Sequence, residues 1–231
     1  MKLNLFWPVY KNLEKEVLNL TYAIHFSDKQ LNTYSNKIAE LILRCGTYIE
    51  SVSKELYKEE FKKDNNDFLQ CIDKFIKEWK LEEKVVQIAA QNMYFSENQQ
   101  IFPFKKDEKK HRFKNGNKIF EKKGKPRDVW LEDDKKEIHS WNNAYNGLKH
   151  DYSRHLKYFG NVKNLLQSMA ALYLLNVYYK NKKVADSINK GDFPDSLGSD
   201  LFIVNVLAKY SERQKDLIEV LKSLEWVEVI G

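Results

Sequence analysis

Residues 161–179, NVKNLLQSMAALYLLNVYY, constrain the fold more than any other stretch. Laid on a helix, this run is apolar nearly all round, and a helix without a polar face must be enclosed by other elements. The chain is therefore expected to be all-α, a helical bundle with this segment at its centre. The most apolar part, MAALYLL at 169–175, is far shorter than the ~18 residues of a membrane span. No membrane partner is expected. A chain of 231 residues can bury a core of this kind, and its length suits a single domain, residues 1–231.

Helical spacing supplies the surrounding elements. Pro8 can open a first helix, carried by Leu13, Val17, Leu20 and Ile24. Ser27-Asp-Lys-Gln30 has the pattern of a capping box. A long amphipathic helix follows it through Leu31, Tyr34, Ile38, Leu41, Cys45, Tyr48, Val52 and Leu56, ending near Phe61. Asp64-Asn65-Asn66 interrupts, and residues 66–91 read as one or two further helices. After the central helix, residues 192–200 form a loop, FIVNVL at 202–207 suggests a strand, and 212–226 a closing helix. Two cysteines, Cys45 and Cys71, do not make a disulfide framework and suit a reducing, cytoplasmic setting. Cys45 falls on the apolar stripe and is expected in the core. The first residues lack the apolar run of a secretory signal.

Charge is distributed unevenly. Between Lys105 and Asp128 eleven basic residues face four acidic ones, giving +7, while the whole chain carries +6. The basic set is Lys105, Lys106, Lys109, Lys110, Arg112, Lys114, Lys118, Lys122, Lys123, Lys125 and Arg127. All the excess positive charge thus lies in one insertion, at about residues 101–130, and a polyanion is its natural partner. An Asn115-Gly116 turn signal lies inside it, and the flanking residues suggest a short hairpin. A C-terminal extension runs over about residues 183–231.

The segment HSWNNAYNGLKHDYSRH, 139–155, holds three of the five histidines. On one continuous helix, Trp141, Tyr145, Leu148, Tyr152, Leu156 and Phe159 make an apolar stripe. His139, Asn143, Asn146, His150 and Arg154 fall on the opposite side. A solvated face in so lysine-rich a chain would ordinarily be Lys and Glu, whereas asparagine is a poorer helix former. Asparagine, histidine and arginine together suit phosphate, ribose and base contacts, and imidazole moves protons near neutral pH. His155 lies nearer the apolar side and is expected as a core histidine with a satisfied nitrogen.

The pattern W-x-x-A-Y-N-x-L-K-H-D at 141–151, followed by an Ala/Leu-rich helix, resembles the HEPN superfamily of small helical-bundle proteins. ELILRCGTYIESVSKELY, 40–57, resembles the long helix of such proteins, and the likeness covers residues 10–180. It implies a HEPN-like bundle of the kind found among metal-independent endoribonucleases of abortive-infection, toxin–antitoxin and CRISPR systems. It also implies a homodimer with motif helices facing each other, and an antitoxin or nucleotidyltransferase as a further partner. The family motif places a polar residue on Asn146 and its histidine on His150, but its arginine falls on Tyr145. A tyrosine supplies no permanent cation for a phosphate-transfer site. Arg154, Lys149 and Arg44 are the candidate replacements.

The resulting expectation is an RNA-binding protein with a degenerate nuclease motif, in phage defence or a toxin–antitoxin system. Its candidate catalytic residues are His150, Asn146 and Arg154. Its candidate RNA contacts are His139, Asn143, Lys149 and the basic insertion. Two alternatives are an active endoribonuclease using His150 with Arg154 or Lys149, and a non-catalytic dimeric interaction module. No zinc-type spacing, Gly-rich phosphate loop or nucleophile elbow occurs, so neither metal nor cofactor is expected.

Overall fold

The computed structural model describes residues 5–106, 139–180 and 198–205. Within them the fold is mainly helical but not all-α. Helices α1 (Phe6–Leu20), α2 (Asn36–Phe61), α3 (Phe68–Trp79), α4 (Ser140–His150), α5 (Tyr152–Phe159) and α6 (Val162–Lys180) are joined by a small sheet. Its strands are β1 (Val85–Ile88), β2 (Gln100–Ile101) and β3 (Phe202–Asn205), in the order β2-β1-β3 with both pairings antiparallel. No helix among the described residues is long and apolar enough to cross a membrane.

Helix α6 is the centre the sequence demands. Leu165, Ala170, Leu174 and Leu175 are buried on successive sides of it. It packs on α1, α2, α4 and β3. Trp79 lies between Phe75 and Tyr178 with nearly parallel rings, at centroid distances of 4.4 and 4.7 Å, tying α3 to α6. Cys45 and Cys71 are free and buried, and burial pushes their thiols up to about 12 and about 11. Cys45 is thus a core residue, 3.3 Å from the Met169 sulfur.

Helix α1 starts two residues before Pro8, which sits in the first turn where a missing N–H leaves no bond unmade. Its buried face is Tyr10, Leu13, Glu14 and Val17. Glu14 is a carboxylate inside an apolar stripe, and it is fully satisfied. Its Oε1 accepts from the Tyr10 hydroxyl at 2.9 Å, from the backbone N–H groups of Asp200 and Leu201 at 3.0 Å each, and from Ser199. Lys11 pairs with the other oxygen and reaches the Gly198 carbonyl at 2.7 Å. This clamp docks the segment leading into β3 onto α1.

Two expected elements differ. Ser27 does not cap α2; residues 28–30 make a single 3-10 turn, and α2 starts at Asn36 with Ser35 accepting from the Ile38 N–H at 3.1 Å. The intervening backbone is used elsewhere. The Leu31 and Thr33 carbonyls accept from Lys163 and Val162, and the Ser35 N–H donates to Gly160. Helical pairing over 31–34 would forfeit those bonds to the start of α6. The second difference is residues 85–88, expected as helix and found as the central strand. Val85, Val86 and Ile88 are β-branched, and both edges of their strand are paired.

Candidate functional site

Residues 139–159 do not form one rod. Helix α4 ends at His150, Asp151 leaves helical geometry with φ −152° and ψ 71°, and α5 begins at Tyr152. The chain then doubles back. In a straight helix Gly147 and Phe159 would lie about 18 Å apart along the axis. Here the Phe159 ring presses on Gly147 so closely that a Cβ there would lie 2.5 Å from it, and His155 Nδ1 is 3.0 Å from the Gly147 carbonyl. Gly147 is needed for that approach. Gly46 plays the same part on α2, where a Cβ would meet the Tyr145 ring.

The break redistributes both predicted faces. Trp141, Tyr145 and Leu148 are buried as expected, and Phe159 is buried through the reversal. Tyr152, placed on the apolar stripe by the continuous-helix reading, is 37% exposed and donates to Asn36 at 3.2 Å. His155 is half-buried with its nitrogen satisfied.

On the other face, His139 is corrected from an outward contact residue to an interior one, 4% exposed. It stacks on Trp141 at 5.8 Å and meets Phe104 edge-on at 6.0 Å. Burial, and then the Lys106 charge, lower its pKa to about 4, so the ring is neutral at physiological pH. Its Nδ1 and the neighbouring Trp141 Nε1 are buried and have no hydrogen-bond partner among the described residues. Because Phe104 and Lys105 lie against His139, residues 104–106 and 139–141 are in contact. Lys105 sits over the Phe102 ring and Lys106 is 3.7 Å from Asp73. Lys109, Lys110, Arg112, Lys114, Lys118, Lys122, Lys123, Lys125, Arg127 and the expected hairpin lie outside the described residues, as does the closing helix.

What the reversal gathers is smaller than the predicted face. Asn143 and Asn146 are half-buried, and Asn146 donates to the buried Asn142 at 3.2 Å. His150 is exposed, and its side chain has no hydrogen bond or ion pair among the described residues. The Lys149 ammonium lies 3.1 Å from the Tyr145 hydroxyl and 3.6 Å from Glu50, and the Tyr145 bond leads the effects that raise its pKa. Arg154 Nε pairs with Asp151 at 3.4 Å. Each cation therefore has its own carboxylate, and an incoming phosphate must compete with Glu50 and Asp151. Arg44 pairs with Glu16 of α1 at 2.6 Å. Among the described residues no three His, Cys, Asp or Glu side chains are grouped to hold a metal ion.

No family model, curated protein or solved structure matches this chain. The HEPN likeness therefore stands on residues 40–57 and 141–151 alone. A second feature lies elsewhere, a groove of ≈ 1010 Å³ between α1 and residues 89–92 that no residue of 139–155 lines. The sequence reading missed it because its two walls are more than sixty residues apart in the chain.

Proposed function

We propose that this protein binds RNA electrostatically and carries a HEPN-like motif too weakened for efficient cleavage, in a phage-defence or toxin–antitoxin setting. The observation that carries the reading is the +7 charge of residues 105–128, set against +6 for the whole chain. The residues at its N-terminal edge support it, since Phe104 and Lys105 pack directly on His139 at the start of α4. Lys149, His150 and Arg154, at the other end of α4 and the start of α5, add two cations and a proton carrier. Their pairing with Glu50 and Asp151 argues against strong transition-state stabilisation, because a pre-neutralised cation offers little field to a developing phosphorane charge.

Titrating labelled RNA across a salt series tests this. If lysines displace counterions, log Kd changes steeply and linearly with log salt, and affinity falls by orders of magnitude between about 50 and 200 mM. An affinity indifferent to salt contradicts it. One observation favours a second reading, active cleavage. The Tyr145 hydroxyl holds the Lys149 ammonium 3.1 Å away, next to His150, putting a cation close to where the motif arginine is missing. Metal-independent cleavage abolished by His150→Ala supports that reading, and cleavage unchanged in that variant ends it.

A further inference from the structure

We infer that the groove beside α1 is a base-recognition site for unpaired RNA, an assignment that rests on the RNA reading above. The groove is lined by Asn12, Lys15, Asn19, Tyr22, Gln91 and Asn92. The side chains of Asn12, Lys15, Asn19 and Gln91 make no hydrogen bond or ion pair among the described residues. Lys11, Glu14 and Asp200 also line it but are engaged with one another. The lining charges are then two lysines against two carboxylates, which is no trap for a polyanion. Primary amides are a different instrument. They present a donor and an acceptor together, the pairing that base edges require.

Tyr22 supplies the stacking surface. It is 89% exposed. A scattered surface tyrosine needs no explanation. This one is set on a fixed turn, with Tyr22 N–H donating to Asn19 and Ala23 and Ile24 both donating to Leu20. Asn92 bonds to Thr21 across the groove, joining its two walls. The loop beyond, residues 89–99, is long for a hairpin connection and is pinned at several points. Asp28 accepts from Ser96, Glu97 and Asn98, five bonds in all, which hold its carboxyl well below the usual range. Tyr94 donates its N–H to Phe26, and its ring, 62% exposed, stacks on the exposed His25 at 4.9 Å. Exposed aromatics beside unbonded amides are how unpaired bases are held, by stacking and edge bonds. Preformed walls avoid the ordering cost of binding.

Charge and recognition are thus divided. The lysine-rich segment sets affinity and salt dependence, and the groove sets the preference for unpaired bases. Fluorescence anisotropy with short labelled oligo(A), oligo(C) and oligo(U), and with a duplex RNA, separates the two. Tyr22→Ala is expected to weaken single-strand binding about tenfold. It should leave the salt slope, duplex binding and melting temperature unchanged. Gln91→Ala is expected to change the ranking among the three oligomers. If the parent binds RNA and both variants match it, the groove assignment is wrong while the electrostatic reading stands. Equal losses for single strand and duplex also overturn it. If the parent binds no RNA, the electrostatic reading fails and the groove assignment falls with it.

Discussion

Helix α6 and the α4–α5 pair use the same amount of chain, 19 residues in one element against 11 and 8 in two. Both pack on α2. One is a single rod and the other folds back on itself. The difference lies in what surrounds each. Helix α6 is buried on every side, so bending would expose apolar surface in any direction. The α4 stripe of Trp141, Tyr145 and Leu148 is already buried, with α4 packed on α2 and α6. A straight continuation would carry Phe159 away from the core and residues 160–163 away from the 31–35 backbone they pair with. Gly147 and Asp151, both poor helix formers, sit where the reversal needs them. Apolar spacing reports which side chains are buried; it is silent on where the backbone turns.

The largest effect that could break this contrast lies in α6. Leu172→Ala is expected to lower unfolding free energy by about 2–5 kcal/mol, since a buried leucine leaves a cavity in a closely packed site. Tyr152→Ala, on the exposed side of α5, should lose under about 1 kcal/mol, both variants being measured by urea titration. Comparable losses would mean that the two regions are not differently packed.

The root of α4 gives a pH-dependent test. His139 binds a proton near 6.5 when unfolded and only near 4 when folded. Between those values the unfolded state holds more protons, so stability falls as pH drops from about 6.5 toward 4, by up to about 3 kcal/mol. Among the described residues, Lys106, which opposes protonation, and Asp73, which favours it, are the charged groups acting on the ring. His139→Phe should flatten that part of the stability profile relative to the parent. Parallel profiles would place the ring in solvent.

Much of the fold was legible in the sequence. The enclosed α6, the end of α2 at Phe61, the core position of Cys45 and the strand at 202–205 all follow from local pattern. The start of α2 was not, because Ser27 and Ser35 both fit a helix cap and the choice is made by hydrogen bonds to residues 160–163. The run VVQI is short enough to suit helix or strand, and only its two partner strands decide. For the candidate site, periodicity placed Tyr145 inside and His150 outside. It could not place His139, whose burial depends on Phe104 from a distant loop, nor Tyr152, which depends on the break at Asp151.

The reversal at Asp151 underlies the placement of Lys149, His150 and Arg154, and the stability of Gly147→Ala tests it most directly. In an uninterrupted solvent-facing helix that change stabilises by up to about 1 kcal/mol. Against the Phe159 ring a new methyl group forces α5 away, and the expected result is a loss of about 1–3 kcal/mol in urea unfolding. A gain in stability would contradict the reversal and restore the single rod.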